Sequence, residues 1–124
     1  MAAGAHYPSP TPIEAYGNGG FRFARLSHRG SLLVLPSGVY GWEAGTVSTL
    51  SAADFDPVFA EAEAVEFLLL GTGTRLVRPA KAIYEAFALA GVGLEVMDTG
   101  AACRTLNVLL DEARAVAAAL IAVP

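Results

Sequence analysis

Cysteine, histidine and lysine are scarce in this 124-residue chain, and each shortage removes a class of protein. A single cysteine, Cys103, can form neither an internal disulfide nor a thiolate metal cluster. With only His6 and His28 beside it, a zinc site is not expected. Lys81 is the one lysine among eight basic residues, and twelve carboxylates bring the formal charge to −4 and the pI near 5.0. A nucleic-acid partner needs a basic face, so none is expected. No apolar run reaches the ~18 uninterrupted residues of a membrane-spanning helix. The longest, residues 113–123, is broken by Arg114 and followed by Pro124. No Gly-Lys-Ser/Thr follows a glycine loop, which excludes a P-loop. Neither paired carboxylates, a serine triad nor a metal constellation emerges, so the chain reads as non-enzymatic and without a cofactor.

Apolar residues make up 54% of the chain and the mean hydropathy is +0.48. Much of this is alanine, which fills space without making a surface greasy. A chain this long can bury a core without metal or disulfide support. No repeat, low-complexity linker or composition break divides it, so residues 13–124 are expected to form one α/β domain. Residues 1–12, with Pro8, Pro10 and Pro12, form an extended lead-in. The lead-in lacks the basic-then-apolar order of a secretory signal, and a cytoplasmic location is expected.

Residues 13–16 predict a short strand closed by Gly17-Asn18-Gly19-Gly20. Residues 21–26 alternate large apolar with polar or small side chains, the period of a half-buried strand. Residues 27–30 read as a turn, 31–35 as a strand, Pro36-Ser37-Gly38 as a second turn and 39–42 as another strand, making an antiparallel meander. Ser51 with Asp54, and then Asp56-Pro57, are helix-start signals. Asp54, Asp56, Glu61, Glu63 and Glu66 gather there as either a solvated face or an acidic binding surface.

From residue 65 the order becomes strand, corner, helix, strand, corner, helix. Residues 65–70 are a near-continuous apolar run, as in a strand covered on both faces. Pro79 opens a helix with Ile83, Phe87 and Ala90 on one stripe, and Gly91 ends it. After a strand at 92–97, Asp98 or Thr99 caps a helix whose buried stripe is Ala102, Leu106, Leu109, Leu110 and Ala113. Strand–helix–strand units of this length imply right-handed parallel crossovers. Residues 114–123 suit either a helix, by alanine propensity, or a final buried strand.

The corners Gly71-Thr72-Gly73-Thr74-Arg75 and Asp98-Thr99-Gly100 lie where parallel strands leave their carboxyl ends, a usual position for ligands. A dinucleotide fingerprint fails, because Leu76 stands at the third glycine position and the next helix is delayed to Pro79. Two readings remain for the corners. In one, the glycines simply provide tight exits at positive φ. Alternatively, Gly71, Thr72, Gly73 and Arg75 converge with Thr99, Arg104, Thr105 and Asn107 on a small anion. Arg104, Asn107 and Asp111 share a helix face opposite the leucine stripe, and an arginine so near a helix N-terminus opposes the dipole. Cys103 among alanines reads as core rather than nucleophile, and His28 as a surface turn residue.

The segments Leu69-Leu70-Gly71-Thr72-Gly73, Glu95-Val96-Met97-Asp98-Thr99 and Ala102-Cys103-Arg104-Thr105-Leu106-Asn107-Val108-Leu109 resemble an uncharacterised bacterial and archaeal domain family. Its eukaryotic relatives include the mitochondrial NADH dehydrogenase (complex I) assembly factor 3 and an adipogenesis-associated protein. Tyr16-Gly17, Gly20-Phe21, Gly30-Ser31 and Trp42 fit as well, so the resemblance covers nearly the whole chain from Ile13. Leu106 departs from a common tyrosine and Ala113 from a frequent glycine. The resemblance implies a three-layer β/β/α fold: an antiparallel N-terminal meander packed on a mixed sheet with parallel βαβ units, and helices on the other face. Residues 114–123 would then be the closing strand. It also implies a non-catalytic interaction module with a protein partner, serving assembly of a respiratory membrane complex. The alternative is a protein or enzyme that binds a small anion or metabolite between the two corners.

Overall fold

The computed structural model describes residues 5–124; the first four residues of the expected lead-in lie outside the described residues. Among the described residues the strands are β1 (Ala15–Gly17), β2 (Gly20–Phe23), β3 (Leu26–Arg29), β4 (Ser31–Leu35), β5 (Gly38–Trp42), β6 (Phe67–Gly71), β7 (Gly93–Met97) and β8 (Val116–Leu120). The helices are α1 (Asp56–Phe59), α2 (Lys81–Ala90) and α3 (Thr99–Asp111). Strands β1-β2-β3 form an antiparallel sheet, and the others form a five-stranded sheet in the order β5-β4-β8-β6-β7. Strand β6 runs parallel to both β7 and β8, while β4 is antiparallel to β5 and β8. This is the expected meander packed on a mixed α/β sheet.

The meander divides between the two sheets, with the break at Gly30, whose φ of 97° turns the chain from β3 into β4. Its second hairpin, between β2 and β3, differs from the expectation. Residues 27–30 are not the turn; the chain reverses at Ala24-Arg25, both left-handed with φ of 47° and 64°. Two-residue hairpins of type I′ need positive φ at both positions and usually signal it with glycine or asparagine. Alanine and arginine carry no such signal, so the alternating pattern reads straight on through residue 26. His28 is therefore a strand residue paired with Phe21, not a turn residue.

Alternation within the large sheet sends side chains to two cores. Leu33, Leu35, Leu68, Leu70, Ala117 and Ala119 face Phe55, Val58, Ile83 and Phe87 from the α1 and α2 side. Phe87 meets Phe55 and Phe59 edge-on, with ring centroids 5.1 and 4.8 Å away, a favoured geometry for aromatic pairs. Leu32, Val34, Leu69, Ala118 and Leu120 face Phe21 and Phe23 of the small sheet, together with Ala102, Cys103 and Leu106 of α3. Helix α3 thus shares the meander's side of the sheet. The reason is crossover direction. The connection from β6 to β7 steps one way along the sheet, and that from β7 to β8 steps back past β6. Right-handed crossovers in opposite directions place their helices on opposite faces.

Strand β8 confirms the closing strand over the helix that alanine propensity favours. It is paired on both edges, to β4 and β6, and every residue from Val116 to Leu120 is buried. Tertiary burial overrides intrinsic preference here, and small side chains let both covering layers approach. Within α3, Ala102 and Leu106 are fully buried, with Leu109 and Leu110 partly so. Ala113 does not join that stripe. It lies exposed beyond the helix at φ 57°, a left-handed stop that glycine meets without Cβ strain.

Candidate functional site

The two corners do meet. Strands β6 and β7 are parallel neighbours whose exits lead to helices on opposite faces, which makes the space beyond them a topological switch point. The two glycines of the first corner have different causes. Gly73 needs its φ of 108°. Gly71 is instead a contact glycine, since a Cβ there would lie 3.0 Å from Thr99 Cα and 3.2 Å from Ala102 Cβ. That close approach brings fully buried Thr99 into the gap.

Thr99 then laces the gap. Its Oγ1 accepts the Gly73 N–H at 2.9 Å and donates to the Ile121 carbonyl at 2.7 Å. The Thr99 N–H reaches the Gly73 carbonyl at 2.9 Å, and the Thr72 N–H reaches Met97 O at 2.9 Å. Thr72 Oγ1 donates to Arg75 O at 2.5 Å and accepts from the Val77 N–H at 3.1 Å. Asp98, the cap of α3, accepts the Ala101 N–H at 2.8 Å. The N–H groups of Thr72, Gly73, Thr99 and Ala101, which an anion would use, are therefore engaged within the protein.

The remaining candidate residues lie further out. Arg75 and Arg104 are exposed and Thr105 is half-buried. Arg104 Nη1 donates to Tyr16 Oη at 3.2 Å, while the Tyr16 hydroxyl sits over Gly100, where a Cβ would meet it at 2.6 Å. Asn107 is a clamp. Its Oδ1 accepts the Ile13 N–H at 2.8 Å and its Nδ2 donates to the Ile13 carbonyl at 2.9 Å. Asn107 ties the approach to β1 onto α3, and Arg104 ties β1 itself. We expect Asn107→Ala to lower stability by about 2 kcal/mol, as two net hydrogen bonds are lost. Urea denaturation checks this, and a loss below about 0.5 kcal/mol would contradict the clamp.

Cys103 is 2% exposed. Burial pushes its thiol up to about 12, with the nearby Arg104 charge opposing weakly. A neutral, enclosed thiol is a core group. In the acidic stretch, several carboxylates serve structure: Glu61 binds the Ser37 backbone N–H at 2.9 Å, Asp54 binds that of Ser51 at 2.8 Å, and Glu66 pairs with Arg114 at 3.4 Å. The contacts of Tyr16 and Ile13 escaped sequence analysis because their partners lie 88 and 94 residues away.

A meander stacked on a mixed sheet, with its switch point laced by threonine, defines a small α/β domain. The chain belongs to the family described as proteins of unknown function DUF498/DUF598, which matches residues 13–121. It is 35% identical over 114 residues to the zebrafish (Danio rerio) NADH dehydrogenase (ubiquinone) 1 alpha subcomplex assembly factor 3, covering 92% of this chain and 66% of that protein. It is 36% identical over 113 residues to an uncharacterised protein of Rhodobacter capsulatus, covering 91% of this chain and 86% of that one. Among solved structures, an outer membrane protein from Bartonella henselae is similar at 46% identity and a TM-score of 0.92, covering 96% of this chain and 100% of that chain. The chain spans about two thirds of the length of the assembly-factor relatives. No helix among its described residues is long and apolar enough to cross a membrane.

Proposed function

We propose that this chain is a non-catalytic protein-interaction module that supports assembly of a respiratory membrane complex, acting in the cytoplasm with residues 13–124 as one domain. The observation that carries this reading is the 35% identity to an NADH dehydrogenase assembly factor over 92% of the chain. The internal use of the corner donors also favours it over an anion cradle at the switch point. Two features of the surface suit a protein partner. Leu76 and Val77, in the loop after β6, are 53% and 41% exposed, and Leu89 on α2 is 92% exposed. The outer edges of the large sheet also differ. Tyr7 bridges to Val39 on β5, whereas β7 has no strand beyond it among the described residues. An uncovered edge offers main-chain groups to an added strand.

The test is affinity capture of the tagged chain from its native host after mild cross-linking. Subunits of a respiratory membrane complex are expected to be enriched. Recovery of no partner above an untagged control would overturn the proposal.

A further inference from the structure

The chain is acidic overall, yet residues 15–42 contain three arginines, Arg22, Arg25 and Arg29, and no carboxylate. This charge is displayed on one surface by the β1-β2-β3 sheet. In the register, Arg22 faces Ser27 and Gly20 faces Arg29. Residues 20 and 22 point to one side of β2, and 27 and 29 to the same side of β3. Phe21 and Phe23, on the other side, are buried against the large sheet. Both guanidinium groups therefore stand on the outer face of neighbouring strands, about one diagonal pair apart.

That face is concave. Gly17, Gly20, Arg22, Ser27 and Arg29 are among the residues lining a cavity of about 380 Å³, and no carboxylate lines it. Its depth comes from glycine. A Cβ on Gly20 would come within 2.1 Å of the His28 carbonyl oxygen, so β2 and β3 can approach here only without a side chain. Gly17 and Gly19 hold φ of 128° and 80° at the rim, and Arg29 Nη1 passes 3.8 Å from where a Gly19 Cβ would stand. Among the described residues, neither Arg22 nor Arg29 has an ion-pair partner, although Arg114 and Lys81 do. Two fork-shaped cations beside a hydroxyl match the oxygens of one carboxylate or phosphate.

We propose that the outer face of the three-stranded sheet is a binding site for a small oxyanion, a carboxylate- or phosphate-bearing molecule held between Arg22 and Arg29. The site is separate from the corners at β6 and β7 and does not depend on the assembly role. Ser27 supplies a neutral donor between the two cations. The cavity lies at the lower end of the volumes usual for small ligands, which suits a compact anion.

The test is an amide NMR titration of the full chain at low ionic strength, with inorganic phosphate in one arm and citrate in the other. We expect saturable shifts confined to residues 17–22 and 27–30 with at least one probe, and the arm that binds more tightly identifies the ligand class. Arg22→Ala and Arg29→Ala should each weaken binding about tenfold, the effect of losing one charge-assisted contact. Arg29→Lys should recover part of the loss, and Arg78→Ala, on the loop before α2, should leave binding unchanged. Both arginines are exposed, and unchanged shifts at distant amides will confirm that each variant is folded. Shifts that stay linear with both probes, or that spread equally to the amides around Arg75 and Arg78, would overturn the proposal.

Discussion

Replacing Thr99 by valine is expected to destabilise the protein by about 3 kcal/mol, although the two side chains have nearly the same shape. The magnitude follows from what the hydroxyl does. It is completely buried, accepts the Gly73 N–H and donates to the Ile121 carbonyl, so it joins the exits of β6, β7 and β8 at one atom. Valine keeps the volume but leaves a buried donor and a buried acceptor without their partner. Stranding each group costs about 1–3 kcal/mol. Water cannot readily replace the hydroxyl, because Gly71 packs so closely against Thr99 that a Cβ there would stand 3.1 Å from the Thr99 Oγ1. Thr99→Ser keeps both bonds and loses one methyl, so a smaller loss of about 1 kcal/mol is expected. Urea denaturation of the three proteins decides the matter. A Thr99→Val midpoint close to wild type would mean that the lacing of the corners contributes little to the fold.

The second large effect concerns Cys103. In the native protein its reaction with a thiol reagent at pH 8 is expected to be about a thousandfold slower than in urea, because only the thiolate reacts. Burial raises the thiol from 9.0 to about 12, which lowers the thiolate fraction at pH 8 by that factor before access is considered. The sign for stability follows from the same shift. The folded state prefers the neutral thiol, so this contribution is complete below about pH 9 and is lost as pH rises toward about 12. Cys103→Ala should flatten that part of the pH–stability curve. A native thiol that reacts as fast as the unfolded one would restore the nucleophile reading that burial argues against.

Much of the second half of the fold was legible because its punctuation is chemical. An apolar run ending in Gly71, a helix ending in Gly91 at φ 73°, and Asp98 capping the next helix each mark a boundary through a local mechanism. Strand β8 was not legible in this way. Val116-Ala117-Ala118-Ala119-Leu120 favours a helix locally, and only its place between β4 and β6 makes it a strand; the family resemblance supplied that place. The hairpin at Ala24-Arg25 was missed because neither residue announces positive φ. The face taken by α3 depends on the order of β6, β7 and β8, which no local pattern contains.

The candidate site divides along the same line. That Gly71, Gly73 and Thr99 come together could be read from strand–corner–helix order. That they bond to one another could not, because the distances that decide it belong to the folded chain. Arg104 beside a helix N-terminus demanded an explanation, and the structure provides one in the Tyr16 hydroxyl. The absence of carboxylates from residues 15–42 was the readable signal for the arginine face of the small sheet. Its significance depends on the register that brings Arg22 and Arg29 to one side.

The assembly role is tested most directly by deleting the gene in a host that carries a respiratory NADH dehydrogenase complex and resolving the membranes on a native gel. The proposal predicts loss of the full-size complex with accumulation of smaller subassemblies, reversed by the wild-type chain. A full-size complex at the parental level, with no subassemblies, would contradict it.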